Sequence, residues 1–154
     1  MVLVSLLPHW LLVLSLGLFQ LVGPVPPELG VHGGSLAPCP SPAHCARADW
    51  PSTDPEAALA RLLPVIEALP RTQVLERSGD YLHATCSSAL FGFVDDLELH
   101  ADAAAGVLQA RSVSRLGDSD LGVNGRRLAA LEAALTATAA ATAAATAAVD
   151  AGPA

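Results

Sequence analysis

Asp96, Glu98 and His100 alternate as D-x-E-x-H, which sets three metal-competent side chains on one face of a β-strand, with His83 able to join them across a ladder. Same-face neighbours on a strand stand about 7 Å apart, so three in a row do not converge on one ion without ligands from another element. The trio therefore reads as a plain solvent-facing side of a strand, and no metal is expected. Ser87, Ser88, Ser112 and Ser114, with His83 or His100 as base, are the makings of nucleophilic catalysis. None lies in a recognisable nucleophile turn, so no catalytic residue is assigned and an enzyme of unknown reaction stays only as an alternative.

The three cysteines divide by spacing. Cys39 and Cys45 close a short C-x5-C loop, expected as a structural disulfide in an oxidising compartment. His32 and His44 add soft ligands nearby, but adjacent His44 and Cys45 do not follow the usual structural zinc spacings. Cys86 is left over within a strand pattern, where a buried, inert thiol is expected. No C-x-x-C accompanies it, so redox work is not expected, and no cofactor is implied.

A second set of groups is held together by charge logic. Asp95 shares a strand face with Phe93 and Leu97 and needs a partner if buried. Arg126 and Arg127 fall in the first turn of the last helix, where the macrodipole disfavours cations unless acids or an anion compensate. Asp95, Arg111, Asp118 and Asp120 are thus expected to form one polar cluster with Arg115, Asn124 and Arg127 at the N-terminal end of that helix. Its ordinary use is an internal ion-pair network; its alternative use is a small-anion or lipid-headgroup site on Arg115, Asn124 and Arg127.

The elements that must position these groups read as one α+β domain over residues 52–135. Thr53 and Glu56 have capping-box spacing, Pro55 suits a first turn, and Leu59, Leu62, Leu63 and Ile66 make one stripe. Pro64 should distort this helix before it stops at Leu69-Pro70. Four alternating runs follow: Thr72 to Glu76, Tyr81 to Ser87, Phe93 to His100 and Val107 to Ser114. Turn signals at Ser78-Gly79-Asp80 and between Asp102 and Gly106 make an antiparallel meander of about four strands the simplest topology. Asn124 is the expected N-cap of the C-terminal helix, with Val123 and Leu128 in staple positions and Leu131 and Leu135 continuing the stripe. Residues 136–154 are Ala and Thr with little else, a tail open to helix or disorder.

Both flanks of the domain are biased. Met1 to Gly23 carries no charged side chain, and Trp10 to Val22 is almost wholly Leu, Val and Phe, so an apolar helix acting as a signal anchor, or a cleaved signal peptide, is expected. Residues 24–51 are crowded with Pro and Gly and read as an extended linker without regular structure, carrying the disulfide. With no basic residue beside the apolar run, orientation follows from the cysteines, which favour the periplasmic or lumenal side.

Composition narrows the partners. The net charge is -7, and the eight basic residues, all Arg, are scattered from Arg47 to Arg127, which excludes the clustered cations that nucleic-acid binding needs. A membrane is the expected partner through the N-terminal segment, with the further partner a protein, a lipid or a small anion. Four stretches stand in order: Leu36-Ala37-Pro38-Cys39-Pro40-Ser41-Pro42 with Cys45, Leu69-Pro70-Arg71, Leu90 to Glu98, and Ala110 to Arg127, which reads A-R-S-V-S-R-L-G-D-S-D-L-G-V-N-G-R-R. Over Gly30 to Leu135 the chain resembles the bacterial and plastid family catalogued as domain of unknown function 1499 (DUF1499). That resemblance implies an exported or membrane-tethered protein and carries no activity or site residue across. The expectation is a non-enzymatic envelope or lumenal binding or structural module.

Overall fold

The computed structural model describes residues 21–150, so the expected apolar N-terminal helix lies outside the described residues. A two-stranded ribbon, β1 (Val31–His32) and β2 (Ser35–Leu36), precedes β3 (Cys45–Pro51), α1 (Pro55–Glu67), β4 (Thr72–Ser78), β5 (Tyr81–Ser87), β6 (Val94–Asp102), β7 (Val107–Ser114) and α2 (Val123–Asp150). β4 to β7 form the expected meander. The sheet has five antiparallel strands rather than four, in the order β3-β7-β6-β5-β4. The fifth, β3, comes from within the stretch expected to be irregular. Cys45-Ala46-Arg47-Ala48-Asp49-Trp50 alternates, and its small residues Ala46 and Ala48 face Ser112 and Ala110 across the ladder. The prolines that suggested a spacer stop at Pro42 and resume at the strand's last residue, Pro51, where an edge strand tolerates them.

One face of the sheet follows the apolar half of the alternation. Leu82, Ala84, Leu97, Leu99, Leu108, Ala110 and Trp50 pack with Ala58, Leu59, Leu62 and Ile66 of α1 and Leu128 and Leu131 of α2 into a single core. Asp54, not Thr53, caps α1: its carboxylate accepts from the Ala57 N–H at 2.9 Å. The helix runs on through Pro64 to Glu67. Pro64 and Ala60 are both exposed, so the carbonyl that Pro64 leaves without a donor is open to water. α2 extends to Asp150, so the Ala/Thr stretch to that point is helical, with Thr142 and Thr146 hydroxyls donating to carbonyls four residues back. Val123–Thr146 is long and apolar enough to cross a bilayer, although its first turns pack on the sheet.

The opposite face departs from expectation. Asp96, Glu98 and His100 are 0%, 0% and 5% exposed, so this side does not face solvent. Residues 24–44, expected as an open linker, lie across it. Leu36 is buried, its N–H donates to Gln109 Oε1 at 2.9 Å, and the Gly30 N–H donates to Glu98 Oε1 at 2.7 Å. Alternation distinguishes two faces of a strand; it does not say what covers the polar one.

Candidate functional site

The expected single cluster is divided by the sheet. In the ladder Arg111 stands opposite Glu98, whereas Asp95 stands opposite Ser114. Odd-numbered β6 residues face the helices and even-numbered ones face residues 24–44, so Arg111 and Asp95 lie on opposite faces and do not meet. Three networks result.

The first is buried under the N-terminal segment. Arg111 Nη1 donates to Glu98 Oε2 at 2.8 Å, with both side chains fully buried, and Arg111 Nη2 reaches Glu28 Oε1 at 3.1 Å. Glu98 Oε1 also accepts from the Tyr81 hydroxyl at 2.8 Å. Burial, and then the Glu98 charge, push the Tyr81 hydroxyl well above the usual phenol range. Three donors on one buried carboxylate repay a desolvation that a lone pair would repay poorly.

The second joins sheet to turn on the same face. Arg115 grips Asp96 side-on, Nε to Oδ2 at 2.8 Å and Nη2 to Oδ1 at 2.7 Å, and His83 Nε2 lies 2.8 Å from Asp96 Oδ1. Burial alone would raise the Asp96 carboxyl, but the bonds from Arg115 and His83 outweigh it and hold the carboxyl below its ordinary value. An ionised carboxylate only accepts, so Nε2 is the protonated nitrogen of His83. The bond to Asp96, followed by burial acting the other way, leaves the Arg115 guanidinium raised above its usual value.

The third sits at the start of α2, on the helix-covered face. Arg127 Nη2 donates to Asp95 Oδ2 at 2.8 Å, and its Nη1 to Ser112 Oγ and Asn124 Oδ1 at 2.7 and 2.6 Å. Asn124 is fully buried and uses its whole amide: Oδ1 accepts from Ser112 Oγ, while Nδ2 donates to the His44 carbonyl and Ser114 Oγ. It is therefore a bridge between helix and sheet, and the capping role expected of it belongs to Asp120. Asp120 accepts from the Gly122 and Asn124 N–H groups at 2.7 and 2.9 Å. Burial opposes its ionisation, but those two donors prevail and lower its pKa. The signal for this shift was present in the sequence, since Asp120 stands before the helix as Asp54 stands before α1. Asp118 is exposed and pairs with none of the described cations.

Cys39 and Cys45 are bonded, with their Cα atoms 5.6 Å apart, and tie the covering segment to the first residue of β3. Cys86 is a free, buried thiol, and burial pushes its pKa up. Among the described residues no three His, Cys, Asp or Glu side chains converge as a metal set.

The open concavities lie at the end of the domain where β6 begins and α2 starts. A groove of about 430 Å³ is walled by Leu90, Phe91, Phe93, Leu116, Leu121 and Val123. A cleft of about 460 Å³ adjoins it, sharing Ser88, Ala89, Asp95 and Val123, and carries Arg71, Arg126 and Arg127. Sequence reasoning missed the groove because Leu90, Phe91 and Leu121 sit in loops, where apolar residues have no period to betray them. Leu121 is 84% exposed and Leu90 78%. Among the described residues, two other than glycine adopt positive φ, Arg71 at 55° in the cleft and Leu121 at 53° in the groove wall. Each such residue costs about 1 kcal/mol or more, a strain that gathers at working surfaces.

The model of a family described as a protein of unknown function (DUF1499) matches residues 35–135. No curated protein matches the chain.

Proposed function

The chain belongs to the DUF1499 family, and from that premise we propose that it is a membrane-tethered, non-enzymatic binding module on the extracytoplasmic side of a membrane. The uncharged run Met1 to Gly23 is the tether, and the Cys39–Cys45 disulfide supports an oxidising compartment. The observation that carries the binding reading is the apolar groove: five exposed large apolar side chains, Leu90, Phe91, Leu116, Leu121 and Val123, converge on it.

The rival readings find less support in the geometry. Ser112 and Ser114 spend their hydroxyls on Asn124 and Asp95, and His83 is held by Asp96, so neither of these serines is paired with His83 as a base. A small anion on Arg115, Asn124 and Arg127 would have to displace Asp96 and Asp95 from the two guanidinium groups. Arg71 and Arg126, exposed in the cleft, are the cations open to a headgroup.

Alkaline carbonate washing of membranes bearing the full-length protein tests the tether. The protein stays in the pellet; its recovery in the supernatant removes the membrane reading.

A further inference from the structure

The chain enters the described fold at the same end as the apolar groove. Leu21 and Val22 are exposed, and Gly23 presses on the groove side of the domain so closely that a Cβ added there would stand 2.7 Å from Leu116 Cγ and 2.9 Å from Arg115 Cβ. Upstream of that contact lies the uncharged run. A membrane-embedded stretch ending at Gly23 leaves no spacer between bilayer and groove, because extended chain spans only about 3.5 Å per residue.

The apolar tips are built to point outward. Ser88 N–H donates to the Phe93 carbonyl at 2.8 Å and Phe93 N–H returns a bond to Ser88 Oγ at 3.0 Å, which pins the loop bearing Leu90 and Phe91. Arg126 Nη1 holds the Leu121 carbonyl at 3.0 Å, and Leu121 itself keeps its left-handed backbone. Apolar side chains on pinned loops beside a cleft that exposes Arg71 and Arg126 give an order of apolar wall and cationic shoulder. An acyl chain followed by a phosphate has that order.

We infer that this end of the domain docks on the bilayer surface, with Leu90, Phe91 and Leu121 in the interfacial zone and the groove open to a lipid acyl chain. The inference rests on the tether reading and specifies what the binding module binds. The turn between β6 and β7 lies at the other end of the strands. Asp102 is seven residues along β6 from Asp95, or about 23 Å, so Ala104 in that turn faces away from the membrane.

The test uses the full chain in phosphatidylcholine–phosphatidylglycerol vesicles, with a nitroxide on a single introduced cysteine at Leu90, Leu121 or Ala104. Cys39 and Cys45 stay oxidised, and the buried Cys86 thiol is out of the label's reach. Labels at Leu90 and Leu121 collide with dissolved oxygen more than with an aqueous nickel chelate, the Ala104 label shows the reverse, and Leu121→Asp lowers the oxygen preference at Leu90. If the protein sediments with vesicles but the Leu90 and Leu121 labels read water as Ala104 does, docking is overturned and the tether survives. Loss of both kinds of collision, growing with protein density in the vesicle, assigns the groove to a second copy and also overturns docking. Failure to sediment with vesicles at all sinks tether and docking together.

Discussion

The two faces of the central sheet are buried to the same degree by opposite chemistries. Beneath the helices, Leu82, Leu97, Leu99 and Leu108 form a core that tolerates many sequences and is stabilised by apolar area. Beneath residues 24–44, Glu98 and Arg111 are buried by a segment that places only Leu36 fully inside and otherwise meets the face through polar bonds from Glu28, Gly30 and Ser35. The second face depends on matching its buried charges, and Glu98 and Asp96 each accept from several donors, although Arg111 Nε and His100 Nδ1 stay without a partner. The difference teaches that the Pro/Gly-rich segment is part of the domain, bonded to the sheet through Glu28, Gly30 and Leu36.

The largest expected effect breaks the polar face. Arg111→Ala strands Glu98 and should cost about 4 kcal/mol, seen as a fall in urea midpoint. Replacing Glu98 and Arg111 together by Leu and Met should recover only part of that loss, because the Gly30 N–H and Tyr81 hydroxyl are then left without their acceptor. Full recovery would mean that the network is no more than an isolated pair. On the apolar face, Leu97→Ala should cost about 3 kcal/mol, with no change in the binding of residues 24–44 to the sheet.

Most of the helix-covered face was legible in the sequence, because Leu97, Leu99, Leu108 and Ala110 alternate and their cover is made of periodic helices. The polar face was legible only as polar. Asp96, Glu98 and His100 look the same whether water or a chain lies above them, and the covering segment, written in Pro and Gly, has no period. Asp95 pairs with Arg127 and Arg111 with Glu98, on opposite faces of the sheet. Residue spacing alone did not fix the ladder register that puts Arg111 beside Glu98.

Reducing the Cys39–Cys45 bond should have a smaller effect, about 2 kcal/mol for so short a loop, and it should act on the covering segment first. Proteolysis between residues 24 and 44 after reduction, while the sheet stays folded, is the expected outcome; cleavage spread evenly over the domain would contradict it. The smallest effect near neutrality is on pH. Asp96 is held below its unfolded value of about 3.9, so its contribution is present above pH 4 and lost as pH falls through the lower folded value. Tyr81 is raised, so its contribution is present below about pH 10 and lost as pH rises beyond that. Urea midpoints measured across pH should fall at both extremes, and Asp96→Asn should blunt the acid fall alone.

Amide hydrogen exchange at Gly30 and Leu36 tests the central claim most directly. Their N–H groups donate to Glu98 and Gln109 on the buried polar face. If residues 24–44 are a built layer of the domain, both amides exchange far more slowly than an open chain, and Arg111→Ala releases the protection at Gly30. Exchange at the unprotected rate at both positions in the wild type would make the segment the loose linker that its composition suggests, and would detach the groove end from the tether.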